Sequence, residues 1–111
     1  MNKKDEERND TMPDLTALDR VIHEPARLTI LAVLNVVDNA DFLFLLNQTG
    51  LTRGNLSSHI SKLESVGYVT IEKMFVDKIP RTLMHLTDEG RTAFEAYRVQ
   101  MLGALGGLEQ S

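Results

Sequence analysis

The sequence predicts a mainly helical domain that carries one small β-hairpin. Three observations predict it. Apolar residues recur at helical spacing in several separate stretches, capping residues and glycines punctuate those stretches, and two neighbouring β-branched runs alternate with period two. The 111 residues suit one domain, and 42% hydrophobic content is enough for a core.

Residues 1–14 are mostly charged or polar and are expected to form a flexible tail ahead of a folded unit over 15–108. Leu15, Leu18 and Ile22 share a helical face, which predicts a first helix over 15–23. Glu24-Pro25 interrupts it, and Pro25 can open a second helix over 25–37 because its missing N–H costs nothing in a first turn. That second helix is apolar nearly all round and is expected to cross the centre of the core. Asp41 is a candidate cap for a short third helix, 42–48, with Gly50 as its left-handed stop. Thr52 is the candidate cap of a fourth, 53–66, which turns Leu56, Ile60 and Leu63 inward and ends at Gly67. The runs 68–75 and 81–86 read as two strands joined by the polar link 76–80. Thr87 caps a last helix, 88–108. Leu31, Leu34, Leu56, Ile60, Leu63, Val69 and Leu86 are the expected core.

A short helix, a glycine turn and a second helix with one polar face make a helix-turn-helix unit. A hairpin directly behind it makes the unit a winged helix-turn-helix. The formal charge of −4 hides one reversal. Over 52–81, Arg53, Lys62, Lys73, Lys78 and Arg81 outnumber Glu64, Glu72 and Asp77, leaving +2 on an otherwise acidic body.

Four stretches carry a family resemblance. They are Pro25–Leu31, Leu51–Leu63, Gly67-Tyr68-Val69, and Pro80-Arg81-Thr82 with Leu86-Thr87-Asp88-Glu89-Gly90-Arg91. In this order and spacing the chain resembles the compact winged-helix transcriptional regulators of the ArsR/MarR-like superfamily. The resemblance spans 15–100 and implies a dimer that binds duplex DNA and regulates transcription. The metal-sensing members use cysteine-rich ligand sets, and this chain has no cysteine.

On the fourth helix a 100° step per residue puts Gly54, Ser58, Ser61 and Ser65 opposite the apolar face. Asn55 and Lys62 fall on one flank, Ser57 on the other, and Thr52 and Arg53 at the start. Small polar residues let a helix approach the major groove closely, where Asn pairs with adenine, Arg or Lys with guanine, and Ser with several partners. Lys73, Lys78 and Arg81 surround the hairpin tip, where they suit the flanking backbone or a minor groove. The bland readings are a solvated serine-rich face and an ordinary soluble turn. His59 borders the buried face and reads as a structural histidine.

The last helix carries Phe94, Tyr97, Met101, Leu105 and Leu108 at heptad-like steps, predicting a two-fold contact completed by Leu18 and Ile22. Packing within one chain is the simpler alternative. No cysteine nucleophile, phosphate-binding loop or ligand-spaced histidine pair occurs, so neither an enzyme nor a cofactor or metal site is expected. With no signal or membrane span, a cytoplasmic homodimer on double-stranded DNA is the expectation, with room for a small-molecule effector. The rival is a winged-helix protein–protein module that does not bind DNA.

Overall fold

The computed structural model describes the backbone of residues 15–109 and the side chains of 16–106. The expected tail and the seam residue Leu108 lie outside the side chains described. Helices α1 (Pro25–Val36), α2 (Phe42–Thr49) and α3 (Arg53–Ser65) precede the strands β2 (Val69–Val76) and β3 (Ile79–Leu86), and α4 (Asp88–Glu109) ends the fold. A two-residue strand, β1 (Ala40–Asp41), joins the sheet in the antiparallel order β1-β3-β2. The fold is a winged helix.

Single side chains set the helix ends. The Glu24 carboxylate accepts from the amides of Ala26 at 2.7 Å and Arg27 at 3.1 Å, opening α1 ahead of Pro25. Asp41 accepts from Phe44 N at 2.8 Å to open α2, and Gly50 closes it in the left-handed region at φ 69°. Thr52 Oγ1 accepts from Asn55 N at 3.2 Å to open α3. Gly67, at φ 86°, turns the chain from α3 into the sheet.

Ile30, Leu31 and Leu34 of α1 pack against Leu45, Leu56, Ile60 and Leu63 over Val69 and Met84. Six of the seven expected core positions are buried. Leu86 is only half-buried, because the inner end of β3 is filled by Met84 in the register Ile71↔Met84, Val69↔Leu86.

Four expectations need correction. The first helix is a 3-10 turn, Leu15–Ala17, because Asp19 Oδ1 accepts from Val21 N at 2.9 Å and Ile22 N at 3.3 Å and so competes with a helical ladder. Helix α1 does not run through the core on all sides: Val36 is 84% exposed, and Thr29 and Ala32 beside it are also exposed. The hairpin link is the two residues Asp77 and Lys78, both at positive φ (52° and 66°), so Val76 pairs with Ile79 and Phe75 with Pro80. Strand β1 reaches only Leu83 and Met84, so Pro80 lies where β3 has a free side and its missing N–H breaks no ladder bond.

The fourth correction concerns the last helix. Phe94 (7% exposed) and Tyr97 (4%) pack with Leu18 and Ile22 inside the same protomer, leaving these four almost no surface for a second copy. His23 Nδ1 lies 2.7 Å from the Tyr97 hydroxyl and fixes that packing. Met101 is half-buried against the same cluster. Among the described residues, Val99, Leu102 and Leu105 are the exposed large apolar residues of α4. No helix among the described residues is long and apolar enough to cross a membrane.

Candidate nucleic-acid interface

Burying Leu56, Ile60 and Leu63 turns the rest of α3 outward. Thr52, Arg53, Asn55, Ser57, Ser58, Ser61 and Lys62 are all exposed, as are Lys73, Lys78 and Arg81 of the hairpin. The hairpin stands beside α3, and grooves between them bring the two groups together. Ser57, Ser61, Lys73 and Thr82 line one groove above Ile60, Ile71 and Met84. Arg53 and Arg81 line the next, with Asp41, Ile79 and Pro80. Asn55, Ser58, Lys62 and Lys78 line neither groove and face open solvent.

Two of these side chains already hold partners. Thr52 is occupied as the α3 cap. Arg81 is opposite Met74, three pairs from the turn, and its Nη1 donates to Asp41 Oδ2 at 3.2 Å. It therefore lies on the strand behind the tip and is tethered to Asp41, not free at the turn. Asp41 serves twice, since its Oδ1 caps α2.

The family described as winged helix DNA-binding domain matches residues 26–104, most of the chain. The chain belongs to that family. An uncharacterized protein of Methanocaldococcus jannaschii is 32% identical over 83 residues, 75% of this chain and 90% of that one. The structure of a transcriptional regulator homologue from Pyrococcus horikoshii superposes with TM-score 0.78 at 30% identity, covering 93% of this chain and 97% of the other. A protein described as a MarR-family regulator from Enterococcus faecalis shares the fold, with TM-score 0.72 at 19% identity over 99% and 93% of the chains.

Within this winged helix domain, one polar cluster braces α3 and a second ties α4 to the start of β2, and the sequence reading missed the long-range contacts of both. Arg27 Nη1 lies 3.2 Å from His59 Nδ1, with Glu24 Oε2 at 3.4 Å from the same nitrogen, so the start of α1 grips the middle of α3. Arg27 Nε also donates to Val21 O at 2.6 Å. Partial burial pushes the Glu24 carboxyl up. The amides of Ala26 and Arg27, then His59 and the Arg27 guanidinium, outweigh it and hold the group below its ordinary range. The reading of His59 as structural matches this geometry.

In the second cluster the Tyr68 hydroxyl donates to Asp19 Oδ2. That bond, with burial and the nearby charges of Asp19 and Glu89, pushes the phenol up to about 12. Thr87 Oγ1 donates to Gly67 O at 2.6 Å and accepts from Gly90 N at 2.9 Å, locking α4 onto the start of β2. Thr87 as a cap and Gly67 as a stop were legible in the sequence, but for the long-range contacts of either cluster the only signal was the resemblance, which contains Arg27, His59, Tyr68 and Gly90 without assigning their contacts. Among the described residues, no group of three or more His, Asp or Glu is placed to hold a metal ion.

Proposed function

We propose that the chain is a transcriptional regulator that binds duplex DNA as a homodimer, with α3 in the major groove and the β2–β3 hairpin over the flanking backbone. The observation that carries this reading is the outward face of α3. It is small, polar and fully exposed, and it stands beside a lysine-bearing hairpin in the one stretch of net positive charge. Protein-docking faces instead concentrate aromatic and aliphatic anchors. The Pyrococcus horikoshii neighbour is described as a transcriptional regulator homologue, which supports the regulatory part of this reading.

In this reading Asn55, Ser58 and Lys62 meet base edges. Arg53, Ser57, Ser61 and Lys73 line the cleft toward the backbone, and Lys78 meets phosphate. Arg81 is a weaker phosphate ligand because it must share its guanidinium with Asp41. The contact between copies uses Val99, Leu102 and Leu105, the apolar side of α4 that its own protomer leaves uncovered.

The test is fluorescence anisotropy of the purified protein with a labelled duplex, titrated with salt. Binding that weakens steeply as salt rises is expected, because neutralised phosphates release counterions. Absence of binding to every duplex in a random library overturns the reading. A winged-helix protein-docking module would then replace it, a reading favoured by one feature, the exposed apolar end of the hairpin.

A further inference from the structure

That hairpin end is unlike the rest of the proposed interface. Phe75 is 75% exposed, and Val76 and Ile79 beside it are also exposed. Leaving a large aromatic ring in water forfeits the free energy its burial would release. Nothing in the fold requires it there, because the turn is made by Asp77 and Lys78 alone.

Register fixes which way the ring points. Side chains alternate along a strand, so Val69, Ile71, Lys73 and Phe75 share one face with their partners Leu86, Met84, Thr82 and Pro80. The inner pairs of this face lie on the core, and Lys73 with Thr82 lines the groove against Ser57 and Ser61. The Phe75–Pro80 pair is the next step outward, roughly 13 Å beyond Ile71 at about 3.3 Å per residue. It therefore faces the same side as α3. Lys73 brackets it below and Lys78 above.

Resting on the DNA-binding reading, we propose that Phe75, backed by Pro80, is an apolar wedge that enters the minor groove next to the major groove occupied by α3 and opens a base step there. Only the tip side chains can enter: the two strands are about 5 Å apart axis to axis and, with their own thickness, wider than the roughly 6 Å minor groove, whereas one ring backed by a proline is narrow enough. The same narrow end offers far less than the roughly 800 Å² per partner of an ordinary protein–protein contact. Its two lysines suit the phosphates that wall the groove, while the ring and proline meet sugars and base edges. Apolar side chains inserted between base steps partly unstack and bend a duplex. Pyrimidine–purine steps yield most easily, so the wedge confers a preference at positions that α3 never reaches.

The test compares the native protein, Phe75→Ala and Lys78→Ala. Each is used to select sites from a random duplex library, and each is then bound to the native-selected duplex carrying 2-aminopurine at successive flank positions. The native protein is expected to enrich a TA or CA/TG step in each flank and to raise fluorescence there. Phe75→Ala should lose both, with affinity down about tenfold and an unchanged salt slope, because an apolar contact releases no counterions. Lys78→Ala should keep the step preference and the fluorescence change while lowering the salt slope. Since Phe75 is exposed, its truncation leaves folding intact. Phe75→Ala selecting the same flanks with the same fluorescence overturns the wedge while DNA binding stands. So does a loss of affinity accompanied by a reduced salt slope, or a shift from dimer to monomer in sedimentation, which would make the tip a contact between copies. If the native protein binds no duplex, the DNA-binding reading itself fails.

Discussion

Arg27 and His59 meet at 3.2 Å between Nη1 and Nδ1, tying the first turn of α1 to the middle of α3. Arginine only donates, so a hydrogen bond here needs Nδ1 as acceptor, whereas the Glu24 carboxylate 3.4 Å from the same nitrogen favours a proton on it, and the three groups share one contact point. Glu24 completes the group by capping α1 and lying 3.6 Å from the Arg27 guanidinium. The outward face of α3 is thus oriented from behind by a polar bracket as well as by its buried leucines.

Glu24→Gln should therefore weaken the fold in a pH-dependent way. Replacing the cap and its charge should cost about 1 kcal/mol near neutrality. The folded carboxyl titrates below its ordinary value of 4.5. Its contribution is present above that value and is lost as pH falls through the lower folded value. Urea unfolding of native and variant protein at decreasing pH should show the difference shrinking in that acid window.

The Tyr68–Asp19 bond makes the opposite prediction. A phenol raised from 10.0 to about 12 contributes stability that is complete below pH 10 and lost as pH rises toward 12. Tyrosinate absorbance should show the Tyr68 step late, and Asp19→Asn should bring it back toward 10 while still capping Val21. Burial raises Tyr97 as well, so Tyr68→Phe is needed to assign the step. That variant should lose about 1 kcal/mol, low for a bond to a charged group because both partners are partly exposed.

Gly90 admits no side chain. A Cβ there would sit 2.1 Å from Tyr68 O, so Gly90→Ala must push α4 off the start of β2. A loss of about 3 kcal/mol in chemical unfolding is expected, at the upper end of ordinary overpacking.

Features with single-residue chemistry were legible in the sequence: Asp41, Thr52 and Thr87 as caps, Gly50 and Gly67 as stops, and the inward leucines of α3. Features needing a distant partner were not. Asp19 broke the first helix by taking two amides and Tyr68, and nothing within 15–23 announces Tyr68. Strand β1 is too short to show a period. The Asp77-Lys78 turn lacks the glycine that usually marks positive φ. Arg81 looked free because its partner Asp41 lies 40 residues away. On α4 the apolar steps placed Phe94, Tyr97 and Met101 on one stripe, but the buried stripe continues to Ala104 and leaves Leu105 exposed, and spacing alone could not say which surface the stripe covers.

That ambiguity has a direct test. Tyr97→Glu places a charge in the protomer's own core and should unfold it. Leu102 is 55% exposed, so Leu102→Glu should leave the protomer folded and weaken only a contact between copies. Sedimentation should show native dimers, and folded monomers for Leu102→Glu. A native monomer at tens of micromolar, a concentration far above that of ordinary specific association, removes the dimer and the DNA dyad with it.

The interface itself should separate residues that read sequence from residues that hold the duplex. Asn55, Ser58 and Lys62 stand on the part of α3 with no protein neighbour across a groove, where a helix in the major groove meets base edges. Truncating one of them should cost about 1–3 kcal/mol on the preferred site and relax discrimination at one position. Lys78, in the turn, should act on phosphate. Lys78→Ala should weaken preferred and scrambled duplexes alike and lower the salt slope by about one unit. Arg81 should fall between these cases. Its bond to Asp41 neutralises part of its charge, so Arg81→Ala should reduce the salt slope by less than Lys78→Ala does. The same change also leaves Asp41 without its guanidinium, so Asp41→Asn serves as the control. It keeps an oxygen to cap α2 and frees Arg81, and it should raise affinity for any duplex at low salt. Affinities for a selected and a scrambled duplex over several salt concentrations measure all of these together. If Asp41→Asn leaves nonspecific affinity unchanged while Arg81→Ala shifts the preferred sequence, Arg81 reads the minor groove and the division of roles must be redrawn.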